Sequence, residues 1–138
     1  MSPHLNQFTF TSDSKQLDLD SICTMLNNSY WASTRTKETI ERSMKNSLCF
    51  AVFSHSKQIG FARVVTDQAT FAYLCDVYID ENYRGYGLGK SFIQYILDHP
   101  DLCTLRKWLL RTKDAHGLYA QFDFQSLKNP EIFMERTV

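Results

Sequence analysis

Apolar residues recur along the chain at two different spacings. Gln7-Phe8-Thr9-Phe10-Thr11 alternates with the period of a short, half-buried strand. Leu19, Ile22, Leu26 and Tyr30 then recur every three to four residues, which predicts an amphipathic helix. Thr36 is placed to cap a second helix, with Ile40 and Met44 as its apolar stripe and Lys37, Glu38, Glu41, Arg42 and Lys45 on a solvated face. Between the two lies the aromatic and cationic stretch Tyr30-Trp31-Ala32-Ser33-Thr34-Arg35. Strand signals follow at Leu48 to Ser54, Ile59 to Thr66 and Thr70 to Ile79, separated by polar turns at Ser56-Lys57 and Asp67-Gln68, and they predict an antiparallel meander. Leu88, Phe92, Tyr95 and Ile96 return to helical spacing until Asp98-His99-Pro100, where the residue before proline is pushed out of the helical region. Leu105 to Arg111 reads as a strand, Ala115 to Phe122 as a short helix and Ile132 to Thr137 as a last strand. A helix between two strands of one sheet makes them parallel. The expectation is an α/β (α+β) fold, one domain over residues 1–138, with a mixed, mostly antiparallel sheet flanked by helices.

Composition narrows the function classes. The 138 residues hold fifteen basic and fifteen acidic side chains, so the basic excess of a general nucleic-acid or anionic-membrane binder is missing. The longest apolar runs, Phe50 to Phe53 and Trp108 to Leu110, are far below the roughly 18 residues of a spanning helix, and Met-Ser-Pro-His does not open a secretory leader. These features predict a soluble, cytoplasmic protein with no membrane or nucleic-acid partner. Cys23, Cys49, Cys75 and Cys103 form no C-x-x-C pair, and the only close His and Cys, His99 and Cys103, flank Pro100. Reduced, buried structural thiols and no metal site are expected. His4, His55 and His99, in the tail, a turn and a helix end, are expected at the surface.

The richest chemistry lies in Asp76-Val77-Tyr78-Ile79-Asp80-Glu81-Asn82-Tyr83-Arg84-Gly85-Tyr86-Gly87-Leu88-Gly89-Lys90, where a strand runs into a helix through three alternating glycines. Such a turn leaves main-chain N–H groups unpaired at the positive end of the helix dipole, and missing Cβ atoms let an anion approach them. Three phosphate cradles are distinguished by spacing. A Walker A loop needs glycine five positions before Gly89-Lys90-Ser91, where Arg84 stands. A dinucleotide fingerprint counted from Gly85 and Gly87 finds Lys90 at its third glycine, and no acidic side chain follows between Leu105 and Thr112. What fits is Arg84-x-x-Gly87-x-Gly89.

This R-x-x-G-x-G turn resembles the coenzyme A signature of the GNAT superfamily of N-acetyltransferases. The element order is similar over essentially the whole chain, and Leu118-Tyr119-Ala120-Gln121-Phe122-Asp123-Phe124 looks like the family's late helix, with Asp123 where its final glycine usually stands. The resemblance implies a sheet splayed at the cofactor cleft. It puts the pyrophosphate of acetyl-coenzyme A on the amides of Arg84, Gly85, Tyr86, Gly87, Leu88, Gly89 and Lys90, with charge added by Arg84 and Lys90. Val77, Tyr78 and Ile79 would meet the pantetheine arm as if it were an added strand, and an N–H there would polarise the thioester carbonyl. Where the family commonly has an Asn that reaches the pantetheine, this chain offers the hydroxyl of Thr112 or the carboxylate of Asp114.

The resemblance also implies that Tyr119 is the general acid for the departing thiolate, a position that pattern alone reads equally as a core tyrosine. Asp76 interrupts an apolar run, so it is either paired, with Arg63 or Arg111, or poised as a catalytic base. His116 is a helix-start residue, a cofactor contact or a base. Trp31 and Arg35 fall in the loop that borders the acceptor site in the family, and otherwise read as an aromatic anchor beside a solvated Arg. The implied activity is direct acetyl transfer to a small-molecule or peptide primary amine, without metal or protein nucleophile. A coenzyme A-binding sensor or interaction module without turnover is the alternative.

Overall fold

The computed structural model describes residues 7–138, so His4 lies outside the described residues. Five strands form one sheet in sequential order: β1 (Phe8–Thr11), β2 (Leu48–Ser54), β3 (Lys57–Thr66), β4 (Ala72–Ile79) and β5 (Trp108–Leu110). The first four are antiparallel neighbours and β5 lies parallel to β4. The helices are α1 (Leu19–Asn27), α2 (Lys37–Lys45), α3 (Leu88–Leu97) and α4 (His116–Ala120). Thr36 caps α2 as expected, its hydroxyl accepting from the Thr39 amide at 3.2 Å.

Alternation along the strands feeds two cores. Phe50, Val52 and Leu74 pack with Leu88, Phe92, Ile93 and Ile96 of α3, while Cys49 and Phe61 point the other way onto Ile22, Leu26 and Ile40 of α1 and α2. At Gly60 the meander is at its tightest: a Cβ built there would lie 3.0 Å from Val52 Cγ2, 2.9 Å from Ile79 Cδ1 and 3.2 Å from the Tyr78 carbonyl oxygen. Gly60→Ala is therefore expected to cost about 1–3 kcal/mol by overpacking. A calorimetric Tm several degrees below wild type checks this, and an unchanged Tm would show that β3 and β4 have slack.

β4 is irregular at Asp76. Phe61 faces Tyr78 and Arg63 faces Cys75, so Asp76 and Val77 together oppose the single residue Ala62, and Asp76 takes a left-handed φ of 54°. This is a β-bulge. It resets the alternation, so that Leu74, Val77 and Ile79 all serve the α3 core. A regular strand would instead aim the Asp76 carboxylate toward that core.

The sequence reading needs correction at several points. Ile132 to Thr137 forms no strand: Pro130–Ile132 is a 3-10 turn, and Ile132, Phe133 and Met134 are exposed. Pairing shortens the predicted Leu105 to Arg111 strand to Trp108–Leu110. Cys103 is exposed rather than buried, although all four thiols are free, and burial pushes the Cys49 thiol up to about 12. His99 is packed edge-on to Phe50 at 5.5 Å and bonded to Ser12 Oγ at 3.2 Å, so it is not a surface group.

Candidate active site

The parallel pairing of β4 with β5 has three rungs, Ala72 with Trp108, Tyr73 with Leu109 and Leu74 with Leu110, and then stops. Beyond Leu74 the two strands are no longer paired, and the cleft lies along β4 from Cys75 to Ile79. The expected splay is present.

At one end of the opening, a 3-10 turn (Glu81–Tyr83) leads through Arg84-Gly85-Tyr86-Gly87 into α3. Gly85 and Gly87 have φ of 87° and 82°, a conformation that costs residues with a Cβ about 1–2 kcal/mol. A Cβ at Gly87 would meet nothing within 4 Å, so backbone conformation and not crowding calls for glycine there. Ser91 N–H is the first to close an α3 turn, onto the Gly87 carbonyl at 3.2 Å. The six amides from Gly85 to Lys90 have no acceptor among the described residues. Gly89 is already helical, and a Cβ built there would lie 4.0 Å from Leu118 Cδ2, an ordinary contact.

Side chains in this segment divide by role. Arg84 Nε donates to the Ile79 carbonyl at 2.6 Å and its guanidinium lies 5.0 Å from the centre of the Tyr78 ring, which ties the loop to the end of β4. Leu88 is buried in the α3 core, so only its amide faces the turn; Tyr86 and Lys90 are exposed.

Two cavities meet along β4. The smaller, about 430 Å³, runs from Arg84, Gly85 and Gly89 past Ile79, Tyr78 and Val77. The larger, about 690 Å³, is walled by Arg35, Arg63, Tyr73, Asp76, Arg111 and Lys113 among others. Both are bordered by Tyr30, Trp31, Val77, Asp114, Ala115 and Tyr119. Tyr119 therefore stands at the junction. It is 8% exposed, packed edge-on to Phe124 at 5.9 Å, and burial, helped by Tyr30 and Asp114, pushes its phenol up to about 12. The left-handed turn after α4 is made by Asp123, with φ of 68°, and returns the Phe124 amide to the Tyr119 carbonyl at 3.2 Å.

Asp76 is the paired alternative, and its partners are spread along the chain. Its Oδ2 accepts from Arg63 Nε and from Arg35 Nη1, each at 2.8 Å, and its Oδ1 accepts from Trp31 Nε1 at 3.1 Å. Arg63 is one of the two partners anticipated; Arg35 stands where Arg111 had been the other choice. With a side chain only 2% exposed and both oxygens engaged, Asp76 holds the loop between α1 and α2 against β4 rather than offering a free base. Trp31 is correspondingly an anchor as well as a wall, and it borders both cavities.

Thr112 Oγ1 accepts from the Ala115 amide at 2.9 Å and thereby shapes the turn into α4. His116 opens α4 in an exposed position and lines neither cavity. Tyr30, Tyr73, Lys113, Ala115 and Leu118 are cavity residues that sequence reading did not single out. Their only prior signal is adjacency: Tyr30 precedes Trp31, Lys113 lies between Thr112 and Asp114, and Tyr73 shares strand parity with Cys75. Among the described residues no group of His, Cys, Asp and Glu could hold a metal ion, and no helix is long and apolar enough to cross a membrane.

A mixed sheet opened beside a glycine turn, with a second cavity meeting the opening at a buried tyrosine, is the frame of an acetyltransferase. Residues 45–126, more than half of the chain, match the family model described as an acetyltransferase (GNAT) domain, and the chain belongs to that family. A GNAT-family protein from Xanthomonas campestris pv. campestris is 39% identical, with a TM-score of 0.92 over 100% of this chain and 96% of that one. An uncharacterized ycf52-like N-acetyltransferase from Prochlorococcus marinus is 35% identical over 98 residues, covering 67% of this chain and 54% of its own length. An acetyltransferase-like protein from Gibberella zeae is 24% identical over 83% of this chain and 76% of its own length.

Proposed function

We propose that the chain transfers the acetyl group of acetyl-coenzyme A to a primary amine. The observation that carries this reading is the run of six unpaired amides at the start of α3, continuous through the smaller cavity with the edge of β4 that β5 leaves open. Adjacent N–H donors at a helix N-terminus suit a diphosphate. An extended, amide-bearing arm suits the open strand edge from Val77 to Ile79. Acetyl-coenzyme A has both parts in that order.

The chain's own groups then have separable tasks. Gly85 to Lys90 bind the pyrophosphate through main-chain N–H groups, and Arg84 fixes the loop to β4. Main-chain donors near Val77 meet the negative charge that develops on the thioester oxygen. The amine reaches the thioester from the larger cavity, where Trp31 and Arg35 hold the wall. The C–N bond forms as the C–S bond breaks; the amine gives up a proton, and the departing thiolate gains one from the side on which Tyr119 lies. Asp114, which lines both cavities, borders the path of the pantetheine arm, whereas Thr112 lines only the larger cavity.

Coenzyme A and acetyl-coenzyme A are expected to raise the Tm of the protein, by about 2.7 kcal/mol of stability at 100 times the dissociation constant. ATP and nicotinamide dinucleotides should do so much less. A melt unmoved by millimolar acetyl-coenzyme A but raised by ATP would overturn the cradle assignment. Radiolabelled acetyl-coenzyme A with pooled amines then separates an enzyme from a silent coenzyme A-binding module.

A further inference from the structure

The larger cavity is unequal in charge. Four cationic side chains, Arg35, Arg63, Arg111 and Lys113, face two anionic ones, Asp76 and Asp114. Asp76 is already fully engaged by Arg35, Arg63 and Trp31. Arg63 is also occupied on its outer side, donating from Nη1 to Ser47 Oγ at 3.0 Å. Arg35, however, gives only Nη1 to Asp76, and its other two guanidinium nitrogens have no acceptor among the described residues. Arg111 is exposed and has no side-chain hydrogen bond or ion pair among the described residues, while Lys113 rests its ammonium 5.5 Å from the centre of the Tyr30 ring.

Planar guanidinium groups with unused donors are the natural partners of carboxylate and phosphate oxygens. A cavity of about 690 Å³ has the size of a small-molecule site. The excess positive charge also acts on the amine itself, because neighbouring cations favour the neutral, nucleophilic form over the ammonium. A polycationic acceptor gains nothing from such a wall and is repelled by it.

We propose that the acceptor is a small primary amine that also carries a carboxylate or phosphate, held by Arg111 and the free nitrogens of Arg35 while its amino group reaches toward Tyr119. This rests on the acetyl-transfer reading and names the substrate class for it. Matched amines test it, with initial rates measured at saturating acetyl-coenzyme A and expressed per free-base amine: O-phosphoethanolamine against ethanolamine, β-alanine against propylamine, and spermidine. The anionic member of at least one pair is expected to have a kcat/KM about 10–100-fold higher, the size of one charge-assisted hydrogen bond, with spermidine the poorest. Whichever pair shows the gap tells phosphate from carboxylate. Arg111→Gln should erase about 10-fold or more of that preference through KM, with kcat and coenzyme A affinity nearly kept, and Arg111→Lys should restore part of it.

Equal kcat/KM within both pairs, a preference for spermidine, or a preference untouched in Arg111→Gln would overturn the proposal while leaving acetyl transfer standing. Should none of these amines turn over, calorimetric titration of O-phosphoethanolamine and β-alanine into the protein decides instead. Saturable binding that is lost in Arg111→Gln supports the anion site, and no binding of either compound refutes it. The coenzyme A melts judge the parent reading independently.

Discussion

Gly87→Glu is expected to abolish coenzyme A binding, lowering affinity by about 1,000-fold or more, while the protein still folds. Gly87 has a left-handed φ of 82°, so any side chain there adds about 1–2 kcal/mol of backbone strain. That penalty is small beside a domain's total stability of about 5–15 kcal/mol. Space is not the obstacle to folding, since a Cβ at this position meets nothing within 4 Å. Gly87 lies in the middle of the run of six unpaired amides, and a carboxylate there both takes up the space beside them and opposes the charge of a diphosphate. Circular dichroism and titration calorimetry with coenzyme A check the two halves of the expectation. A folded Gly87→Glu variant with wild-type affinity would remove the loop from the site. Gly87→Ala is the internal control, because it shares the strain and lacks the charge, and it should bind more tightly than the Glu variant.

Tyr119→Phe is expected to lower kcat by about 10²-fold, at the lower end of what general acid catalysis supplies. The size follows from the environment of the phenol. Burial pushes it up to about 12, so it is fully protonated throughout the working pH range and always available as a donor. The same shift makes it a reluctant acid: giving its proton completely to a thiolate whose thiol has a reference pKa of about 8.5 would cost about 5 kcal/mol. On the proposed reading Tyr119 therefore contributes chiefly a strong hydrogen bond to the leaving sulfur and keeps its own proton, while the proton given up by the amine is the one that finally neutralises the thiolate. The phenylalanine ring keeps the contact with Phe124, so coenzyme A affinity and Tm should change little. The pH profile carries a second check. A donor with a pKa of about 12 adds no falling limb below about pH 11, so kcat/KM should rise with pH as the amine loses its proton and then level off. Full kcat in Tyr119→Phe when chemistry limits the rate would leave water as the proton source.

Periodicity located the helices and the meander because each of those segments buries one face on a neighbour close in sequence. Thr36 reads as a cap since its hydroxyl needs only the amide of Thr39. The failures have the opposite character. Ile132 to Thr137 has the composition of a strand, but a strand requires a partner edge, and no described segment pairs with it. The bulge at Asp76 was visible only as a charge interrupting an apolar run, because its left-handed residue is an aspartate rather than a glycine. For the site, the glycine loop was legible since its geometry is local. The ion pair between Arg35 and Asp76 spans 41 residues of chain and is made by tertiary folding alone. Trp31 and Arg35 line the same cavity, yet what holds that wall was not readable from their neighbours.

The cluster at Asp76 divides the larger cavity into parts that differ in how freely they can change. One carboxylate on the bulge of β4 gathers donors from the loop after α1 and from β3, so substituting Arg35, Arg63 or Trp31 disturbs all the others. Arg111 and Lys113 sit across from it, exposed and outside that network. Diversification of acceptor choice, in a natural lineage or in a directed-evolution library, thus has a permissive rim and a forbidding interior. If the larger cavity holds the amine as proposed, variants at 111 and 113 are expected to sample new amines while the inner wall keeps its shape, whereas new specificity at 35 or 63 demands several simultaneous changes.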